Sequence, residues 1–216
     1  MSIALIPVKG LERSKSRLLS HLPDSKRQAL TLAMLADLIE ALENTAGLDR
    51  IAVTTPDIVV AERSRSAGAE ILMRPEPGLN EALEDGIVRL QPRANEAFLI
   101  VLGDVAGAVA SDFEHLLALS EASPEPGVWL APSADGGTSA LLQRPAGLIP
   151  CLFGRESAKR HREAARDQGV AFREVRLPSL SIDLDQPEDL RAFLSTQSGG
   201  RRTRDLLESG SHGEPE

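Results

Sequence analysis

Ala97-Phe-Leu-Ile-Val-Leu-Gly-Asp104 decides how the rest of this chain is read. Its six mostly apolar residues run without polar alternation, the pattern of a strand buried on both faces of a parallel sheet. A glycine and an aspartate follow at once. In open α/β sheets ligands gather outside the carboxyl ends of the strands, so Asp104 falls where a nucleotide or a metal ion would be held. The same aspartate would also serve as a helix cap or turn former, and the stretch alone leaves both roles open.

Outward from this strand, apolar runs alternate with helical patterns. Residues 3–8 predict a short first strand that ends near Pro7. Residues 25–44 predict a helix, because Leu32, Leu35, Ile39 and Leu42 recur at spacings of three and four. A second strand is expected at 50–55, and a helix opened by Pro56-Asp57 runs to Ala67 with Gly68 as its stop. A third strand follows at 69–73, then a helix at about 81–90. Beyond the central strand come a helix at 112–122 and a strand at 128–131 that carries Trp129 in the core. Strand resumes at 140–143, a helix reaches to Gln168, and 171–177 reads as an edge strand. This alternation predicts one α/β domain over residues 1–196, with a mostly parallel sheet and helices on both faces. Residues 197–216 hold Gly, Ser, Arg and Glu with little apolar content, and read as a disordered tail.

Composition narrows the function. The 216 residues suffice for one sizeable core, and a 42% hydrophobic and 26% charged share is that of an ordinary globular protein. Net charge is -8, from 24 basic and 32 acidic residues, which argues against nucleic acid as a partner. A small phosphorylated ligand needs only a local basic patch. The one cysteine, Cys151, excludes an internal disulfide and fits a reducing compartment. No leader is expected, since the first strand starts at once and Lys9 interrupts the apolar run. No stretch approaches the roughly 20 apolar residues of a membrane span. The expectation is a cytoplasmic protein, monomer or homodimer.

Five places along the chain carry chemistry. Lys9-Gly-Leu-Glu-Arg-Ser-Lys-Ser-Arg17 places four cations directly after the first strand, where they can close around phosphate oxygens. Lys9, Arg13, Lys15 and Arg17 are the candidates. The spacing is neither that of a P-loop nor the three-glycine dinucleotide fingerprint. Asn80 stands at the start of a helix, either as its N-cap or as a contact for a base or ribose hydroxyl. In Asp135-Gly-Gly-Thr138 the glycines allow close approach to a ligand, although a hairpin turn would use the same residues. Phe153-Gly-Arg-Glu-Ser157 enters a helix whose free N–H groups favour an anion. Near the end, Asp183-Leu-Asp185 reads as strand, in which residues two apart present two carboxylates on one face. Two such carboxylates repel unless a cation lies between them, and with Asp104 as a third they suit magnesium shared with substrate phosphates.

Taken together, Ile6-Pro-Val-Lys9, Lys15-Ser-Arg17, Leu79-Asn80, Gly103-Asp104, Asp135-Gly-Gly-Thr138, Phe153-Gly-Arg-Glu-Ser157 with His161, and Asp183-Leu-Asp185-Gln-Pro-Glu-Asp-Leu190 resemble the guanylyltransferase family of deazaflavin coenzyme F-420 biosynthesis, the CofC/FbiD type. The resemblance runs from about residue 3 to 194. It implies a single-domain, Rossmann-like nucleotidyltransferase with a GT-A-like mixed, mostly parallel sheet. It further implies that GTP and a three-carbon phospho-acid give pyrophosphate and a guanylated acid. The acid would be phosphoenolpyruvate, 2-phospholactate or 3-phosphoglycerate. By motif, Asp104, Asp183 and Asp185 would bind magnesium, and Thr138, Gly154 and Ser157 the phospho-acid. Lys9, Lys15 and Arg17 would face the GTP phosphates, with Asp104 among the catalytic groups. Val8, Lys9, Asn80 and Gly103 are the implied nucleotide contacts. The chain departs from the family in lacking a proline two residues after Asp104, and in Ser139 where asparagine is frequent.

The implied nucleophile is a phosphate oxygen, already anionic at neutral pH, so no side-chain base is required. His161 is accordingly read as helix surface or a polar contact on the substrate side. Sugar-phosphate and molybdopterin nucleotidyltransferases are rivals of the same fold, but usually open with a glycine-rich loop absent here. A weaker rival is a sugar transferase of the same fold. A rival of another class is a regulatory module that binds nucleotide without turnover.

Overall fold

Strands that are apolar on both sides must be covered on both sides, and the chain meets that need with helices above and below one sheet. The computed structural model describes residues 1–15, 18, 22–75, 78–196 and 198–209. Its elements are β1 (Ser2–Pro7), α1 (Asp24–Glu43), β2 (Arg50–Thr55), α2 (Ile58–Ser66), β3 (Glu70–Met73), α3 (Leu79–Leu90) and β4 (Ala97–Val101). There follow α4 (Ala110–Glu121), β5 (Gly127–Pro132), β6 (Thr138–Arg144), α5 (Ser157–Asp167), β7 (Ala171–Glu174), α6 (Pro187–Ser195) and α7 (Arg201–Ser209).

The sheet order is β3-β2-β1-β4-β6-β5-β7. Every pairing is parallel except those of β6 with β4 and β5, so β6 alone runs in reverse. The chain therefore steps outward from β1 to β3 and returns to lay β4 on the other side of β1. That reversal opens a crevice beyond the carboxyl ends of β1 and β4, where α/β sheets hold their ligands.

Alternate residues of the central strands feed the two cores. On one face Ala4, Ile6, Leu99, Val101 and Trp129 meet Leu35, Leu38 and Ile39 of α1, Val60 of α2 and Phe113 of α4. On the other, Ile3, Leu5, Phe98 and Ile100 meet Leu83 and Leu90 of α3 and Ala158 and Ala165 of α5. Side chains of this size contribute on the order of 2 kcal/mol each by burial. The Asp57 side chain caps α2 by accepting from Val59 and Val60 N–H, while its other oxygen accepts from Leu11 N at 2.9 Å. One residue thus starts a helix and ties down the basic loop after β1.

Two expectations change. The segment read as a tail carries α7, which docks on α1. Buried Asp37 accepts from the Arg202 and Thr203 N–H groups at 3.1 and 2.8 Å and from the Thr203 hydroxyl at 2.8 Å. Leu206 and Leu207 pack on a third cluster of Leu18, Leu30, Met34, Ala106, Leu184 and Phe193. Residues 197 and 210–216 lie outside the described part. Residues 180–185, in turn, do not extend the sheet. A 3-10 turn at Pro178–Leu180 leads into a single antiparallel bridge between Asp183 and Val105. Asp185 N then bonds back to Asp183 O, a turn rather than a strand.

Candidate active site

The crevice beyond β1 and β4 is a cavity of about 550 Å³. Among its lining residues are Val8, Lys9, Arg13, Lys15, Gly103, Asp104 and Asp185, which gathers most of the candidates from opposite ends of the chain. Gly103 is there for room: a Cβ on it would stand 3.2 Å from both Pro7 O and a Val8 methyl. Thr54, Thr55 and Arg74 also line the cavity and were not singled out from sequence. They stand at the ends of β2 and β3, so the strand-end argument that found Asp104 would have found them too. Pro7, Leu79, Ala82 and Leu102 give part of the wall an apolar surface suited to a base, while the lysines and aspartates gather near the end of β4.

Lys15 sits at the centre of the charged part. Its backbone is left-handed, with φ 50°, and its buried ammonium lies 3.0 Å from Asp185 Oδ1 and 3.5 Å from Asp104 Oδ2. Burial alone would lower its pKa, but the Asp104 and Asp185 carboxylates outweigh that and hold it charged. Asp104 Oδ1 and Asp183 Oδ1 are buried with no hydrogen-bond partner among the described residues. Asp183 is pushed up to about 8, first by burial and then by the neighbouring Asp104 charge. Orphaned anionic oxygens are costly unless a cation or donor reaches them. Asp104 and Asp183 thus fit a divalent cation that takes its other ligands from substrate oxygens and water. The third aspartate is engaged by Lys15. Among the described residues no three acidic, histidine or cysteine side chains form a ready-made metal cluster. Arg17 lies outside the described residues.

A second polar cluster lies at the start of β6 and α5. The 133–137 loop is a hairpin turn between β5 and β6, in which Asp135 Oδ1 accepts from Gly137 N at 2.9 Å. Its Gly136 carbonyl accepts from Ala158 N, which fastens the turn to α5. Thr138 Oγ1 meets Ser157 Oγ at 3.0 Å and His161 Nδ1 at 3.1 Å, all three buried. Gly154 adopts φ 122°, a conformation that favours glycine, and brings the chain into Ser157. Thr138, Gly154 and Ser157 are therefore together, apart from the nucleotide cavity. The charge of Asp135, at the head of the same turn, acts on Asp183 and so links this cluster to the aspartates.

Asn80 stands elsewhere than expected, and of the two places expected for His161 the structure rules out the helix surface. Asn80 is not the N-cap of α3, a place that Gly78 takes, and it does not line the cavity. Its amide holds the backbone of Phe153, accepting from N at 2.8 Å and donating to O at 3.2 Å. Asn80 thus braces the Gly154 turn. His161 is fully buried rather than on the helix surface, because Ser157, Ala158, His161 and Ala165 form the face that α5 turns inward. Phe153 packs edge-on against its ring with centroids 5.0 Å apart. Burial, reinforced by the adjacent Arg160 charge, lowers His161 to about 4, so its ring is neutral.

A sheet of this order, with a strand-end crevice lined by cations and aspartates, defines a nucleotidyltransferase-like α/β protein. A chain from Desulfovibrio desulfuricans G20 described as a nucleotide-diphospho-sugar transferase has the same fold, with a TM-score of 0.80 at 16% identity over 98% of this chain and 96% of that one. A nucleotidyl transferase from Methanothermobacter has a TM-score of 0.63 at 16% identity, covering 97% and 99% of the two chains. The family model for guanylyl transferase CofC-like proteins matches residues 2–210, and the chain belongs to this family. It is 40% identical to the phosphoenolpyruvate guanylyltransferase of Rubrobacter xylanophilus, over 93% of this chain and 96% of that one. It is 37% identical to the enzyme of the same name from Sphaerobacter thermophilus, over 88% and 90%. It is 31% identical to the 3-phospho-D-glycerate guanylyltransferase of Colwellia psychrerythraea, over 89% and 91%.

Proposed function

We propose that this protein joins GTP to the phosphate of phosphoenolpyruvate with release of pyrophosphate, in coenzyme F-420 biosynthesis. The observation that carries the reading is the charged centre of the crevice: Lys15 held by Asp104 and Asp185, with orphaned oxygens on Asp104 and Asp183 beside it. The two relatives named for phosphoenolpyruvate support that acid, and the Colwellia relative supports 3-phospho-D-glycerate as a second reading. A phosphate oxygen of the acid attacks the α-phosphorus of GTP, the bond from that phosphorus to the bridging oxygen breaks, and pyrophosphate leaves. The attacking oxygen is already anionic, so no residue need take a proton.

The protein's task is to bring two polyanions together. Lys9 and Lys15 set positive charge against the GTP phosphates, with Arg17 two residues beyond Lys15 in sequence and α1 following it. Val8 and Gly103 shape the floor of the nucleotide cavity, and Thr138, Gly154 and Ser157 receive the acid. Asp104 and Asp183 would hold magnesium, which supplies neutralisation of the charge that gathers on the phosphate oxygens. Asp185 keeps Lys15 beside them. Among the described residues no helix is long and apolar enough to cross a membrane, and we place the enzyme in the cytoplasm, in line with its single buried cysteine.

The test is pyrophosphate release from GTP and magnesium with phosphoenolpyruvate, 2-phospholactate and 3-phosphoglycerate offered separately. A signal with phosphoenolpyruvate is expected. Folded Asp104→Asn and Asp183→Asn proteins should lose at least a hundredfold, as sites that lose charge stabilisation do. Silence with all three acids while GTP still binds would overturn the assignment in favour of a regulatory module.

A further inference from the structure

The hydrogen bonds around His161 have a direction that can be worked out from donors alone. Leu152 N lies 2.9 Å from His161 Nε2, and a backbone N–H can only donate. Nε2 therefore carries no proton. A neutral imidazole then has its proton on Nδ1, which lies 3.1 Å from Thr138 Oγ1 and donates to it. Ser157 Oγ donates to the same oxygen at 3.0 Å. A hydroxyl oxygen has two lone pairs and one proton. Both lone pairs of Thr138 are taken, so its own proton is left to give away, and no acceptor for it is present among the described residues.

We propose that His161 is a positioning residue: by fixing both acceptor sites of Thr138 it makes that hydroxyl an obligatory donor to an anionic oxygen of the phospho-acid. The inference rests on the guanylyltransferase reading for the identity of the ligand. Were the ring to adopt the other tautomer or take up a second proton, Nε2 would face Leu152 N–H with a proton of its own, and the chain of donors would break. The neutral state is favoured by the buried setting and by the packing of Phe153 against the ring. An acceptor-only partner is what such a site selects. A carboxylate or phosphate oxygen can take the Thr138 proton, whereas an amine or ammonium at the same place would leave donors facing one another.

Two measurements on the full-length protein test this. Imidazole nitrogen-15 NMR, with the His161 signal assigned by its loss in His161→Gln, should show the proton on Nδ1 at neutral pH; a proton on Nε2, or on both nitrogens, overturns the proposal. In kinetics, His161→Leu should raise KM for phosphoenolpyruvate roughly tenfold or more, as loss of a donor to an anion does, and leave KM for GTP unchanged. His161→Gln, which keeps one acceptor and one donor, should recover most of that loss. Thr138→Val should match His161→Leu, with the double variant little worse than either, since the two act as a unit. A folded His161→Leu protein with unchanged KM for the acid, or with both KM values raised alike, overturns the proposal. If the wild type releases no pyrophosphate, that failure belongs to the guanylyltransferase reading. The dissociation constant for phosphoenolpyruvate, read by calorimetry on wild type and His161→Leu, then takes the place of KM and decides the role of His161 by the same comparison.

Discussion

Lys15 is the residue on which two carboxylates depend. Its ammonium is buried and lies within 3.5 Å of both Asp104 and Asp185, which are partly exposed, so removing it leaves like charges facing one another. Lys15→Met should therefore cost the metal-free protein about 1 kcal/mol, less than a fully buried pair would because solvent reaches both carboxylates, read from its unfolding midpoint. Added magnesium should restore more of that loss in the variant than it adds to the wild type. An unchanged midpoint would show that the pair is incidental. His161 gives a pH signature of opposite origin. It is held near 4 in the folded state against an ordinary 6.5, so the unfolded chain binds the extra proton first. The stability it supports is complete above pH 6.5 and is lost as pH falls towards 4, by about 1.4 kcal/mol per unit at most. That slope should be missing in His161→Gln when unfolding is followed between pH 7 and 4. Asp104 is legible in the sequence because charge just past a buried strand has few other uses, Lys15 because it belongs to a run of cations after the first strand, and Asp185 because it pairs with Asp183. His161 is not, because the arginines and lysines around it make α5 look polar on all sides, and only the three-dimensional face shows which way the ring turns.

At the scale of the element, α7 depends on one distant acid. Asp37 of α1 satisfies the first turn of α7 from 166 residues away in sequence, and Arg202 adds a charge to the same carboxylate at 3.2 Å. Asp37→Ala should cost about 3 kcal/mol in denaturant unfolding, because the buried Thr203 N–H and hydroxyl would lose the carboxylate that accepts from both. A shift under about half a kcal/mol would mean that α7 is held by Leu206 and Leu207 alone. The sequence concealed this helix because its cap is not local, and a helix of nine residues with so few apolar positions looks unfavourable by itself. The Asp183-Leu-Asp185 segment brings its acids to the crevice by a turn and not by the strand that its pattern predicts. Alternating apolar and acidic residues fit both an extended pair and the turn that Asp185 N makes to Asp183 O. Most other elements were visible from periodicity and turn residues, with ends displaced by one to four residues where caps such as Gly78 and Glu156 carry no strong sequence mark.

For the whole molecule, alternation of strand and helix was enough to place a parallel sheet with two covered faces, and hence a ligand at the ends of its strands. The position of β6 between β4 and β5 was not available that way, because pairing between distant strands leaves no trace in either strand's own pattern. The third apolar cluster has a further consequence. It is built from Leu18 and Leu22 of the loop that carries Lys15, Ala106 just past Asp104, Leu184 between the two C-terminal aspartates, and the helices that close the chain. It lies apart from both faces of the sheet, so these pieces can detach together while the sheet keeps its own two cores. On heating, such a molecule should go blind before it melts: the charged side chains of the crevice would scatter while most of the protein is still folded. Substrates that bridge Lys15 and the aspartates would then protect activity far more than they raise the melting temperature.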